Sequence, residues 1–276
     1  MKKLITCLIF ISLVQITLAQ SLKVKPRKLN ELTGSEFFDL ISDSTLSLTT
    51  REDLIFDAIK KGNVPNFLRK LSTIEHEATI DGKKYKITCF ALPDYIAIGS
   101  NENYFYIPTT PILAQRIANL LQCSLPTKKM VDLIYQQSEI KLTPTPIPPT
   151  KAMTTVPVFK AHSDTVQQQL IPFLAQHDTS KLTAGHKKDI IISTKIYTEK
   201  TAKVVIYGWH QQNGKAIQPV YNKHSNTWAD YSHGVRLIQN KVIVNGKKTT
   251  FQKVVLDPKL HQLLSDEGVI TRPYYP

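Results

Sequence analysis

The sequence predicts an α+β fold, with helices mainly in the N-terminal half and an antiparallel, hairpin-rich sheet in the C-terminal half. Two observations predict it. Amphipathic stripes opened by capping residues fall mostly before residue 140, and two-residue turns, Asp81-Gly82 and Asn245-Gly246, each join a pair of strand-like runs.

Met1-Lys2-Lys3 is a short positive segment, Leu4 to Leu18 is an interrupted apolar run, and Thr17-Leu18-Ala19 places small residues where a signal peptidase reads. This pattern predicts export to a secreted or periplasmic location, with cleavage before Gln20. An uncleaved anchor would need about 20 predominantly apolar residues. No second run of spanning length follows, so no transmembrane segment is expected after cleavage.

Residues 20 to 33 are polar and basic, a loose lead-in to an N-terminal α+β region over 20–140. Thr50-Arg51-Glu52-Asp53 predicts a capping box, Leu54, Ile55, Ala58 and Ile59 the apolar stripe behind it, and Gly62 the stop. The Asp81-Gly82 turn leads into a strand from Tyr85 to Leu92, and Tyr95 to Ile98 with Tyr104 to Ile107 predicts a second hairpin. Thr110-Pro111 opens a helix through Leu121, and Thr127 caps another through Ser138. Pro144, Pro146, Pro148, Pro149 and Pro157 then make 141–158 an extended Pro/Thr-rich connector. It serves equally as a domain boundary or as a long surface connection within one domain. In the β-rich region over 159–276, Val166, Leu170, Phe173 and Leu174 fit a helix that Pro172 should kink. Strands are expected at Ile190–Ser193, Val204–Trp209, Val235–Gln239, Val242–Val244 and Thr249–Leu256. Asp257-Pro258 should open a last short helix ending near Gly268.

Removing Lys2 and Lys3 with the leader leaves 33 of the 35 basic residues against 22 acidic ones, a net charge of +11. Solubility accounts for scattered lysines, and attraction to an anionic envelope polymer or polysaccharide would use the same charge. Nucleic acid is not an expected partner, because no basic helix and no aromatics interleaved with lysines are present. Cys89 and Cys123 fit a disulfide or two buried thiols equally well.

The chemistry concentrates between Gly185 and Arg236, which holds His186, His210, His224 and His233, half of the eight histidines, and both tryptophans, Trp209 and Trp228. Histidine moves protons near neutral pH, and tryptophan offers a flat apolar platform for a ligand. Strand alternation would put His210 with Gly208 on one face and Trp209 with Tyr207 on the other. In the expected site His210 and His233 exchange protons, Asp230 orients a histidine, and Tyr231 and Arg236 stabilise negative charge. A divalent metal such as zinc would use His186, Asp189, His210 and His233 as ligands.

Ser232-His233-Gly234-Val235-Arg236 resembles the Ser-His-Gly-Cys-(Ile/Val)-Arg signature of L,D-transpeptidases, and Gly208-Trp209-His210 stands loosely for their upstream histidine-glycine. The resemblance spans five residues and implies a secreted enzyme of peptidoglycan cross-linking. The cysteine is missing, Gly234 running straight into Val235, so the family's thioester step does not carry over. The expectation is therefore an exported hydrolase or transferase of cell-envelope polymers, with a non-catalytic envelope- or carbohydrate-binding protein as the alternative.

Overall fold

A computed structural model of the protein describes residues 20–174 and 181–276. The leader expected over 1–19 lies outside the described residues. No helix among those described is long and apolar enough to cross a membrane.

The lead-in is tied down rather than loose: Ser21 bridges Lys70, and Leu22 is buried. It ends in a helix the sequence reading passes over, α1 (Gly34–Ile41), where Thr33 and Glu36 form a reciprocal capping box. Helix α2 (Leu48–Lys61) starts before the expected box, because the Ser47 side chain accepts from the Thr50 amide. Gly62 closes it as expected. Strands β1 (Ser72–Ile80) and β2 (Lys83–Ala91) form the predicted hairpin, with Asp81 and Gly82 both at positive φ as a primed turn requires. Strands β3 (Ala97–Gly99) and β4 (Tyr104–Tyr106) form the second hairpin. Helix α3 (Pro111–Leu120) follows the Thr110 cap, and β5 (Cys123–Ser124) separates it from α4 (Lys128–Gln137), capped by Thr127.

After β6 (Ile140–Lys141) the connector runs extended to a short 3-10 turn, and α5 begins at Val156 and continues to Leu174, with Pro172 in its last turn. The remaining strands are β7 (Thr183–Ala184), β8 (Lys188–Ile190), β9 (Ile206–His210), β10 (Ala216–Tyr221), β11 (His233–Gly234), β12 (Ile238–Gln239), β13 (Lys241–Val244) and β14 (Lys247–Thr250). The run expected as a strand to Leu256 turns at Thr250. That side chain caps α6 (Phe251–Leu256), which buries Phe251, Val254 and Val255 at helical spacing. The helix expected after Asp257-Pro258 is only a 3-10 turn, Leu260–Leu263.

The architecture is α+β, with helices mostly N-terminal and strands mostly C-terminal. A six-stranded sheet has the order β14-β13-β2-β12-β5, with β1 on the other edge of β2. Strands from 20–140 and from 159–276 thus share one sheet, and one apolar core runs beneath both segments. The connector 141–158 lies along this body: Ile147 N donates to Tyr231 Oη, and Thr145 Oγ1 meets His162 Nε2. Cys89 on β2 and Cys123 on β5 flank β12, so two strand spacings, about 10 Å, separate them. A disulfide needs Cα atoms within about 7 Å. Both are buried free thiols, pushed up to about 12 by burial.

Candidate functional site

A four-stranded sheet, ordered β10-β9-β8-β11, carries most of the residues singled out between Gly185 and Arg236. Its central strand β8 pairs antiparallel with β9 and parallel with β11. Strand β9 is irregular at Gly208 and Trp209, whose φ angles are +108° and +58°. Glycine takes such a conformation freely, whereas a side chain there costs roughly 1–2 kcal/mol. The two positive φ angles break the expected alternation without shifting the strand register between Gly208 and His210. Tyr207 and His210 consequently meet the same carboxylate, Asp132 Oδ1, at 2.7 and 3.0 Å. Trp209 turns the other way, toward Lys188, His162 and Tyr231.

The His210–Asp132 pair lies on the wall of a cleft of about 570 Å³, lined also by Tyr135, Gln136, Lys141, Gln212 and Asn213. Tyr135 stacks on the imidazole at 4.4 Å. Burial raises the Asp132 pKa, but bonds from His210, Lys128 and Tyr207 outweigh it and hold the carboxyl below its usual range. Asp132 is therefore ionised at neutral pH. It sits on α4, far in sequence from the histidines, and no local motif marks it.

His186 and His233 face other acids. His186 is fully buried between Tyr95 and Tyr106, with Nε2 3.1 Å from Asp94 Oδ1. Tyr106 Oη donates to the other Asp94 oxygen at 2.6 Å. His233 Nε2 stands 3.9 Å from Asp230 Oδ2, too far for a hydrogen bond. Burial lowers the His233 pKa while Asp230 and the Thr109 backbone pull it up. Burial also raises the Asp230 pKa, but His233, Lys188 and the Ser232 bonds overcome it and leave the carboxyl at about 2. The three histidines expected in one site are thus each set against a different aspartate. Among the described residues no group of three or more His, Cys, Asp or Glu is placed to hold a metal ion, and the zinc set of His186, Asp189, His210 and His233 does not assemble.

Asp189 accepts from Tyr95 Oη at 2.7 Å, and its carboxyl is raised to about 6 by burial despite Arg236. Arg236 is fully buried over the Tyr95 ring and donates to the Leu92 and Thr183 carbonyls. Those two bonds join separate chain segments. Tyr231 Oη accepts from Ile147 and so anchors the connector. Trp228 stacks on His224 at 4.5 Å and lines a separate cavity of about 290 Å³, with Ile55, Phe105 and Phe159 among its apolar walls.

Sequence reasoning also passed over His162 and Lys187. His162 occupies the buried stripe of α5 with Phe159 and Val166, and a polar residue on an apolar stripe is a readable signal. No protein family, curated protein or solved structure matches the chain.

Proposed function

We propose that the chain is an exported hydrolase or transferase acting on cell-envelope polymers, with His210 and Asp132 as its acid–base pair. One observation carries the reading: an imidazole held 3.0 Å from an ionised carboxylate on the wall of a 570 Å³ cleft that a substrate can enter. With Nε2 committed to Asp132, Nδ1 is the nitrogen left to exchange a proton. His210 takes a proton from the attacking water or hydroxyl, Asp132 stabilises the imidazolium, and the proton then passes to the leaving group. Lys141 brings positive charge to the same cleft. Gln136, Gln212 and Asn213 supply the donors and acceptors that a hydroxyl- and amide-rich chain needs. The leader-like N-terminus and the net charge of +11 expected for the mature chain support an anionic partner outside the cytoplasm.

The alternative, a non-catalytic envelope- or carbohydrate-binding protein, is favoured by the Trp228–His224 stack beside the second cavity. Incubating the protein with purified peptidoglycan or envelope polysaccharide and measuring soluble fragments separates the two. Activity should fall about 10²–10⁴-fold in His210→Ala and Asp132→Asn, with circular dichroism unchanged. Retained activity in both variants refutes the pair, and retention on the polymer without turnover selects the binding reading.

A further inference from the structure

On the face of β8 opposite the cleft, Lys188 is the register partner of His233 on β11 and of Gly208 on β9. In-register neighbours project to one face of a sheet, and the β9 distortion brings Trp209 to the same face, its ring 4.9 Å from Lys188 Nζ. The groups gathered there are donors in excess. Apart from the Trp209 ring, the Lys188 ammonium has no hydrogen bond or ion pair among the described residues, and its burial is only partial. The indole Nε1 of Trp209 is buried with no acceptor, and the buried His233 ring has only the Thr109 backbone and a 3.9 Å contact to Asp230. A buried unpaired donor costs about 1–3 kcal/mol, so the Trp209 indole calls for an acceptor. Asp230 does not supply it. Its Oδ1 is taken by the Ser232 amide and hydroxyl, and its Oδ2 has Trp228 Nε1 at 3.5 Å. Lys187 and Lys188 both interact electrostatically with this one carboxylate.

We propose that Lys188, Trp209 and His233 form a binding site for a small oxyanion, a carboxylate or phosphate group, entered past the half-buried His224. The oxyanion accepts from the Lys188 ammonium and the Trp209 indole N–H, and from the second His233 nitrogen when that ring is protonated. The site is separate from the His210–Asp132 cleft, since Trp209 and His210 leave β9 on opposite faces. It also gives the φ of Trp209 a purpose: a regular strand would turn the indole away from Lys188.

Trp209 reports occupancy directly in a Trp228→Phe background. Inorganic phosphate and acetate are titrated separately at constant ionic strength, with chloride as the balancing salt, and emission and Tm are followed. A saturable emission change with a rise in Tm is expected for at least one of them, and which one responds identifies the source of the oxyanion. Lys188→Gln, at a position that is not fully buried, should weaken binding tenfold or more, Lys188→Arg should largely restore it, and His210→Ala should leave it unchanged. Loss of polymer turnover in His210→Ala with oxyanion binding intact keeps this proposal independent of the catalytic one. No saturable response to either anion, an equal response to chloride, or wild-type binding in Lys188→Gln overturns it.

Discussion

Lys187 has 1% of its surface exposed, yet its ammonium meets only neutral acceptors, the Tyr231 carbonyl at 2.7 Å and His162 Nδ1 at 3.1 Å. Burial, with Lys187 itself the next contributor, pushes the His162 pKa down to about 2. The ring is therefore neutral, with Nδ1 accepting and the Nε2 proton directed at Thr145. Burial also brings Lys187 down to about 7, with Asp230 and Asp94 only partly opposing. An unfolded lysine titrates near 10.5, so between those values the unfolded chain binds more protons than the folded one. Stability must then rise with pH across that window, by up to about 1.4 kcal/mol per unit for one proton. The buried cysteines act in the opposite direction above pH 9, so the clean comparison is pH 7 against 8.5. Urea unfolding should show higher stability at pH 8.5, and Lys187→Met should flatten the difference. A wild-type protein that loses stability over that interval, or a variant that keeps the rise, contradicts the account. Nothing in the sequence gives this away, since adjacent lysines ordinarily mark a solvated turn; burial comes from the β8–β11 pairing and from α5 packing above.

At the scale of the element, the legible parts are those whose signals are local. Both two-residue turns, the Thr110 and Thr127 caps and the Gly62 stop depend on a few adjacent residues, and all lie where their chemistry puts them. The start of α2 shows the limit. Thr50 and Glu52 look like capping residues, but Glu52 is buried and accepts from the Thr110 amide and hydroxyl, tying α2 to the start of α3. Ser47 does the capping instead. Strand β9 is the costlier case, because alternation assigns its faces correctly only until Gly208. The distortion there decides which side chains belong to the cleft and which to the opposite face, and it is fixed by pairing with both β8 and β10. Truncating a buried tryptophan to alanine costs about 3–5 kcal/mol, and glycine is ordinarily worse than alanine by about 0.5–1 kcal/mol. At φ +58° the order should reverse, Trp209→Gly exceeding Trp209→Ala in stability by about 1 kcal/mol. Urea midpoints of the two variants decide it, and the ordinary order would show that the backbone at 209 is unstrained.

For the whole molecule, the site could be only half visible in the sequence, because its acids come from elsewhere. Asp132 arrives on α4 and Asp94 ahead of β3, and neither shares a motif with the histidine it faces. Long-range pairing of this kind also bears on the Pro/Thr-rich connector. Proline can separate domains or merely hold a strap extended, and composition is the same in both cases. In this chain β12 and β13 pair with β2 across the connector, β12 pairs with β5, and Arg236 donates to Leu92. Separating the two segments would strip β2 of its β12 and β13 neighbours and leave a buried guanidinium without one of its carbonyls, a hydrogen bond to a charged group worth about 1.5–3 kcal/mol by itself. The segments should therefore unfold together. Far-ultraviolet circular dichroism, which follows both segments, and tryptophan emission, which follows only 209 and 228, should give one coincident urea transition. The isolated 159–276 fragment should lack a cooperative transition, because its strands β12 and β13 would have no β2 to pair with. Two separated transitions in the intact chain, or a cooperatively folding fragment, would show that the connector divides two independent domains after all.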